Sequence, residues 1–264
     1  MHSILNTIVE SVYNNNSTNK SKISPALMRQ RAEQCLENHG QRFESALNKS
    51  GIAIIAEVKK ASPSKGVLCA DFNPVKIACD YHHAGADAIS VLTESQFFQG
   101  HPAYLQQISR RLSTPLLCKD FIIDIYQIDQ AAVYGASAVL LIAALLDDGQ
   151  LHAYLERCSR LQLAAVVEVH NEEELQQALD SPARIIGINN RDLSTFEVSL
   201  QTSLELVSSI PASRIRISES GILDFNDVQR LAGAGFDAVL VGESLMRQPD
   251  HHKALQKLRG VECG

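Results

Sequence analysis

Six places along the chain set ionisable or hydrogen-bonding side chains at the end of a short, β-branched, apolar run. They are Glu57-Val-Lys59, Lys119-Asp-Phe121, Glu168, Asn189-Asn-Arg191, Ser218-Glu219-Ser220-Gly221 and Gly242-Glu243-Ser244. Carboxylates and amines held near one another can pass protons to and from a substrate. Glycines and hydroxyls beside them let a backbone approach an anion closely. Side chains alternate along a strand, so Glu57 and Lys59 share a face, as do Asn189 and Arg191. Isoleucine or valine precedes most of these ends, so the charges emerge from an apolar wall. A half-buried charge costs free energy unless it is paired or bound to a ligand. The set could be structural ion pairs, but six ends on separate runs favour one shared mouth.

The elements that would carry these ends recur with a regular rhythm. Eight apolar runs read as strands: Ile52–Val58, Ala88–Thr93, Pro115–Lys119, Ala138–Ile142, Ala164–Val169, Arg184–Asn189, Arg214–Ser218 and Ala238–Val241. Amphipathic stretches separate them, among them Asp124–Tyr134, Asn171–Leu179 and Asp224–Ala234. Continuous apolar strands alternating with helices indicate a parallel sheet covered by helices. Gly85-Ala-Asp-Ala, Gly135-Ala-Ser-Ala and Gly235-Phe-Asp-Ala each fall between a helix and a strand, where glycine suits the position just past a helix end. Their spacings of 50 and 100 residues are two and four units of about 25 residues, the size of one βα repeat. Eight such units close a barrel. The competing open, doubly wound sheet would more often carry a glycine-rich first turn, and no GxGxxG follows the first run. The fold class is therefore α/β, a (β/α)8 or TIM barrel.

The chain has 264 residues, which suits one such barrel. Residues 1–50 differ from the rest. A helical pattern at Ile4, Leu5, Ile8, Val9 and Val12 gives way to a polar stretch from Asn14 to Lys22, and a second helix follows over Pro25–Glu37 behind the cap Ser24. This segment reads as an N-terminal helical extension, with residues 51–264 as the barrel, rather than as a separate domain.

Composition narrows the function classes. Apolar residues make up 45% and charged residues 20%, ordinary for a globule with a sizeable core, and the net charge of −6 speaks against nucleic acid as a partner. The six cysteines lie far apart, with no metal-ligand spacing, and read as reduced thiols of a cytoplasmic protein. Neither a signal peptide nor a membrane span is expected.

A (β/α)8 barrel places its active site at the C-terminal ends of its strands, often with a phosphate held by the loops after strands seven and eight. Ser220-Gly221 and Gly242-Glu243 stand there, each leading into a helix. Each glycine alone reads equally as a tight turn. Ser62-Pro-Ser-Lys-Gly66, after the first strand, reads either as a flexible surface loop or as a lid that brings Lys59 and Ser62 to an anion.

Five blocks of the sequence resemble the indole-3-glycerol phosphate synthase family. They are Ile55-Ala-Glu-Val-Lys-Lys-Ala-Ser-Pro-Ser-Lys-Gly66, Cys118-Lys-Asp-Phe-Ile122, Ile186-Gly-Ile-Asn-Asn-Arg-Asp-Leu193, Ser218-Glu-Ser-Gly-Ile222 and Val241-Gly-Glu-Ser-Leu-Met246. They fall in family order between about Ser50 and Leu258. The family's N-terminal extension is present too, although its usual basic first helix is interrupted by Asn14–Asn19.

The resemblance implies a substrate, 1-(2-carboxyphenylamino)-1-deoxyribulose 5-phosphate, whose ring closure, decarboxylation and dehydration give an indole. It implies Lys119 as the acid, with a pKa lowered by burial and nearby cations. Lys59 and Arg191 would face the carboxylate, Arg191 by virtue of its planar fork. Asn189 would hold a hydroxyl or the carboxylate. Glu57 and Glu168 would serve dehydration, in an order left open. Glu219 would support the lysines. Phe98 and Phe121 would wall the aryl ring or simply fill the core. Ser62, Ser220, Gly221, Gly242 and Glu243 would bind phosphate, Glu243 through its N–H alone with its carboxylate turned to solvent. No metal or organic cofactor is implied, because proton transfer and charge placement suffice. The nine histidines stand outside this set, His170 as a loop residue and His82-His83 as exposed helix positions. The expected partner is a small phosphorylated substrate, with no nucleic acid and no membrane, and the expected state a monomer that associates at most weakly. A related phosphate-sugar isomerase would carry other residues at strands one and three. A non-catalytic sensor would need only the anion contacts.

Overall fold

The computed structural model describes residues 4–37, 39–193 and 195–261, so Cys263 lies outside the described residues. Eight parallel strands close into a barrel: β1 (Ala53–Val58), β2 (Ala88–Leu92), β3 (Leu116–Lys119), β4 (Ala138–Ile142), β5 (Ala164–Val169), β6 (Ile185–Asn189), β7 (Ile215–Glu219) and β8 (Ala238–Val241). Each pairs with its sequence neighbour, and β1 pairs with β8 (Ile55 opposite Leu240) to complete the ring. Helices α4 (Pro74–His83), α5 (Pro102–Ser109), α6 (Ile125–Val133), α7 (Asp148–Arg160), α8 (Glu172–Asp180), α9 (Leu200–Leu206), α10 (Phe225–Gly233), α11 (Glu243–Met246) and α12 (His251–Leu258) fill the connections and the C-terminus. Gly85, Gly135 and Gly235 take φ of +87°, +82° and +97°, the left-handed conformation that ends a helix.

Strand alternation divides the core in two. Ile54, Ala56, Val58, Ile89, Val91, Val139, Val167 and Ile186 point outward beneath the helices. Ala53, Ile55, Leu117, Leu140, Val166, Ile185, Ile217 and Leu240 point inward and fill the barrel. Inside, the last inward position of β1, β3, β5, β6 and β7 is where the apolar column stops and a polar group begins.

The N-terminal segment departs from its sequence pattern. Helix α1 runs unbroken over Ile4–Lys22, so Asn14–Asn19 does not interrupt it. Tertiary contacts compensate for the weak helix formers there. Asn16 is buried and donates to Gln127 Oε1 at 2.9 Å, and the Tyr126 hydroxyl donates to the carbonyls of Asn19 and Ile23, 3.2 Å each. Helix α2 (Pro25–Glu33) stops earlier than expected, and a further helix, α3 (His39–Leu47), follows. Helix α3 has too few apolar side chains for a readable period. Its Phe43 and Leu47, both fully buried, pack with Ala53, Ala164, Ile185 and Ala238 at the starts of strands and floor the barrel. His82 also departs from expectation: it is half-buried, its Nδ1 2.6 Å from the Thr114 hydroxyl, whereas His83 is exposed.

Candidate active site

Above the C-terminal ends of the strands lies a cleft of about 520 Å³. Every residue given a catalytic or binding role from the sequence lines it: Glu57, Lys59, Ser62, Phe98, Lys119, Phe121, Glu168, Asn189, Arg191, Glu219, Ser220, Gly221, Gly242 and Glu243. The reason is the alternation just described. Ala53 and Ile55 lead up to Glu57, Leu117 to Lys119, Ala164 and Val166 to Glu168, and Ile217 to Glu219. Ile4, Leu5 and Ile8 of α1 close one side.

At the base of the cleft, Lys119 Nζ lies 2.8 Å from Glu168 Oε2 and 3.0 Å from Glu219 Oε2. The ammonium of Lys59 is paired with Glu57 Oε1. Burial alone would lower Lys119, but the carboxylates of Glu168, Glu219 and Glu57 outweigh it and hold the pKa above its ordinary value. The lowered pKa expected from the sequence is thus overturned, because anions rather than cations surround the lysine. The two carboxylates beside it diverge. Burial pushes Glu168 up, yet Lys119 and His170 prevail and hold it below the usual carboxylate range. In Glu219, burial, assisted by Glu168, prevails over Lys119 and raises the pKa to about 7. Environments that push neighbouring titratable groups apart in this way suit acid–base work.

Phe98 and Phe121 face each other across 5.9 Å between ring centroids, tilted by 40°. The Glu94 carboxylate holds the loop carrying Phe98 by accepting from the N–H groups of Gln96, Phe97 and Phe98 at 2.7–2.9 Å. Gln127 Nε2 donates to the carbonyl of Phe121 at 3.0 Å.

Arg191 Nη2 lies 3.3 Å from Glu243 Oε2, and Glu243 Oε1 lies 3.2 Å from Arg247. The Glu243 carboxylate therefore bridges two guanidinium groups and is not turned to solvent as expected. Arg191 Nη1 also donates to the carbonyl of Phe196 at 3.3 Å and to the Ser64 hydroxyl at 3.5 Å. Asn189 Oδ1 accepts from the Arg191 N–H at 3.0 Å. Ser62 belongs to a short hairpin in which Ala61–Ser62 pairs with Gly66–Val67.

The turn after β7 carries two successive left-handed residues, Ser220 (φ +67°) and Gly221 (φ +77°). Buried Asn190 pins it, its Nδ2 donating to Ser218 Oγ and to the carbonyls of Glu219 and Ser220, 3.0 Å each. The start of α10 is not open to an anion. Asp224 caps it, accepting from the N–H groups of Asn226 and Asp227, and Leu223 N–H donates to Asp227 Oδ2. The carboxylates of Asp224 and Asp227 would repel an anion there, so this helix start does not offer the free donors expected of it.

Several neighbours of the site escaped the sequence reading. His170 Nε2 lies 3.4 Å from Glu168 Oε1. Strand parity would have found it, since positions 168 and 170 share a face. Gly187 faces inward opposite Glu168, and a Cβ there would overlap Glu219 Oε1. Asn190 acts through bonds to a turn far along the chain and leaves no local signal, whereas Glu94 and Gln127 brace loops of their own neighbourhood through their side chains.

The architecture is that of the (β/α)8 barrel enzymes. It is similar to 3-hexulose-6-phosphate synthase from Salmonella typhimurium (TM-score 0.65, 11% identity, 79% of this chain and 97% of that one). It is likewise similar to thiamine phosphate pyrophosphorylase from Pyrococcus furiosus (TM-score 0.58, 16% identity, 79% and 94%). At these identities the likeness shows the fold alone. In sequence the chain is 51% identical over 217 residues to the indole-3-glycerol phosphate synthase of Lactiplantibacillus plantarum, covering 82% of this chain and 84% of that protein. It is 49% identical over 224 residues to that of Alkaliphilus metalliredigens, covering 84% and 86%. The family model for indole-3-glycerol phosphate synthase matches residues 5–258. The chain belongs to the indole-3-glycerol phosphate synthase family, and with it to the carboxy-lyases of tryptophan biosynthesis.

Proposed function

We propose that the chain converts 1-(2-carboxyphenylamino)-1-deoxyribulose 5-phosphate into indole-3-glycerol phosphate, carbon dioxide and water, with Lys119 as the acid of ring closure. The observation that carries this reading is the placement of Lys119, a protonated lysine between Glu168 and Glu219 at the base of the cleft that Phe98 and Phe121 also line. The aryl carbon that bears the carboxylate attacks the ketone carbon while the Lys119 ammonium gives its proton to the ketone oxygen. Carbon dioxide then leaves, and its bonding electrons restore the aromatic ring. Once Lys119 is neutral, the main attraction holding Glu168 ionised is gone and Glu168 becomes the stronger base. Glu168 therefore removes the carbon-bound proton at dehydration. Glu57 relays a proton from the Lys59 ammonium to the departing hydroxyl, which leaves as water, and exchange with Glu168 and solvent restores the protons of Lys59 and Lys119.

Phe98 and Phe121 hold the aryl ring. Arg191, Lys59 and Asn189 meet the carboxylate and hydroxyls, with Arg191 exchanging Glu243 for the substrate. Ser62, the Ser220–Gly221 turn and the N–H groups at Gly242–Glu243 take the phosphate. Every step is a proton transfer or a bond change within the substrate, so no metal or organic cofactor enters the scheme.

The N-terminal segment 1–50 and the barrel 51–264 act as one unit in this reading, since Ile4, Leu5 and Ile8 line the cleft and Phe43 floors the barrel. Among the described residues the five cysteines are free, which supports a cytoplasmic site of action, and no helix is long and apolar enough to cross a membrane. A monomer is proposed, to be checked by sedimentation. The functional test is incubation with the carboxyphenylamino deoxyribulose phosphate while following indole fluorescence. No fluorescent product at any enzyme concentration would overturn the reading.

A further inference from the structure

Glu168 meets a different cation on each of its two oxygens. Oε2 lies 2.8 Å from Lys119 Nζ, and Oε1 lies 3.4 Å from His170 Nε2. The neighbouring strands bring no other donor to it. Ile142 of β4 and Gly187 of β6 stand opposite in register, one apolar and the other without a side chain. The charged groups that face Glu168 are Lys119 from β3, Glu219 from β7 and His170 just past the end of β5, with Glu57 of β1 acting on Lys119 from further away.

His170 is itself fixed. Glu174 Oε2 lies 2.9 Å from His170 Nδ1 and also accepts from the His170 backbone N–H at 2.9 Å, so ring and main chain are tied to one oxygen. Glu174 is locked in turn by reciprocal bonds with Asn171 at the start of α8. Its Oε1 accepts from Asn171 Nδ2 at 2.8 Å, and its N–H donates to Asn171 Oδ1 at 2.9 Å. A continuous series of contacts thus runs from the first turn of α8 through Glu174 and His170 to Glu168 and Lys119. A loop histidine serving no role in the site would not need a carboxylate beside each of its ring nitrogens.

We propose that His170 is a positioning residue that, braced by Glu174, holds Glu168 ionised and turned so that its other oxygen meets Lys119. The inference rests on the assignment of Lys119 and Glu168 as reacting groups. With both nitrogens beside carboxylates, His170 is an imidazolium at neutral pH, because Glu168 and Glu174 outweigh the burial that alone would discharge it. Removing it leaves Glu168 Oε1 without its cation, in the same field as Glu219. Glu168 then takes up a proton at higher pH, and fewer molecules carry the ionised base.

The test measures kcat and KM against pH for the wild type, His170→Ala, His170→Gln, Glu174→Gln, the double variant His170→Ala/Glu174→Gln, and Glu168→Gln. On the acid side of the profile both His170 variants should lose about tenfold in kcat at a given pH, with KM within about twofold, the loss that a limb shifted by one pKa unit produces there. Their acid limb should move up by about one pH unit. Glu174→Gln should move it in the same direction by less. The double variant should be no worse than His170→Ala, since the two residues act in series. A purely structural histidine would lower Tm and leave the acid limb in place, and that result overturns the proposal. If Glu168→Gln loses turnover while the His170 variants keep the wild-type profile, this proposal alone falls. If Glu168→Gln turns over as well as wild type, the assignment of the reacting groups falls and this proposal with it.

Discussion

Gly242 leaves the space that the Glu57 carboxylate occupies. A Cβ at position 242 would overlap Glu57 Oε1 and stand 3.0 Å from Lys59 Nζ. The glycine after β8 therefore serves the acid–base pair of β1 as well as any anion above it, and its substitution cannot test phosphate binding alone. Gly242→Ala should push Glu57 and Lys59 apart and lower kcat by at least about a hundredfold, the low end of what a general acid or base contributes. Turnover near wild type in Gly242→Ala would show that the pair moves aside without cost.

Lys119→Ala should lower kcat by roughly 10²–10⁴-fold and change KM little, because the proton is given only in the transition state. Its loss also leaves Glu168 and Glu219 facing each other without a cation. Lys119→Met, which keeps the stem, should therefore share the kinetic defect, and thermal melts of both variants report any structural cost. Turnover in either variant within a few-fold of wild type removes Lys119 from the mechanism.

Arg191 and Glu243 make opposite predictions. Arg191→Lys keeps the charge but loses the planar fork, and KM should rise by about tenfold. Glu243→Gln releases Arg191 and removes a negative charge from the phosphate neighbourhood, so sulfate should bind a few-fold tighter. Titration of the unliganded enzyme with sulfate decides this. Weaker binding in Glu243→Gln would mean that the carboxylate organises Arg191 instead of competing for it.

Stability should depend on pH with a defined sign. The folded-state pKa of His170 is raised to about 10, because Glu168 and Glu174 outweigh burial. Its contribution is complete below the unfolded value near 6.5 and is lost as pH rises toward 10. Glu219, raised by burial to about 7, favours the folded state below its unfolded value near 4.5 and loses that contribution between 4.5 and 7. Glu168, held low, acts in the reverse sense and loses its contribution only as pH falls below its unfolded value near 4.5. Melting temperature should therefore fall between pH 7 and 10, and His170→Gln should flatten that decline. An unchanged slope in the variant would separate His170 from the effect.

Phe43→Ala should remove about 3–5 kcal/mol of stability, the usual cost of truncating a fully buried phenylalanine. The side chain closes the barrel far from Lys119, so denaturant unfolding should show the loss while kcat at low temperature stays near wild type.

The strands and the face each presents were legible in the order of residues alone. All eight begin and end within one residue of their apolar runs, because a strand buried on both faces must be apolar along its whole length. The order of residues also determined which side chains reach the cleft, since period-two alternation carries Glu57, Lys119, Glu168 and Asn189 inward at the strand ends. It did not determine helix α3 or the second half of α1. Those helices are stabilised by contacts such as Asn16 with Gln127, more than a hundred residues away, and not by their own propensity. The ionisation of the site follows from the folded barrel and not from the order of residues. The lowered pKa expected for Lys119 rested on burial and on cations beside it. Its state is set by carboxylates from β1, β5 and β7, whose fields act across the barrel through a few ångströms of low-dielectric interior.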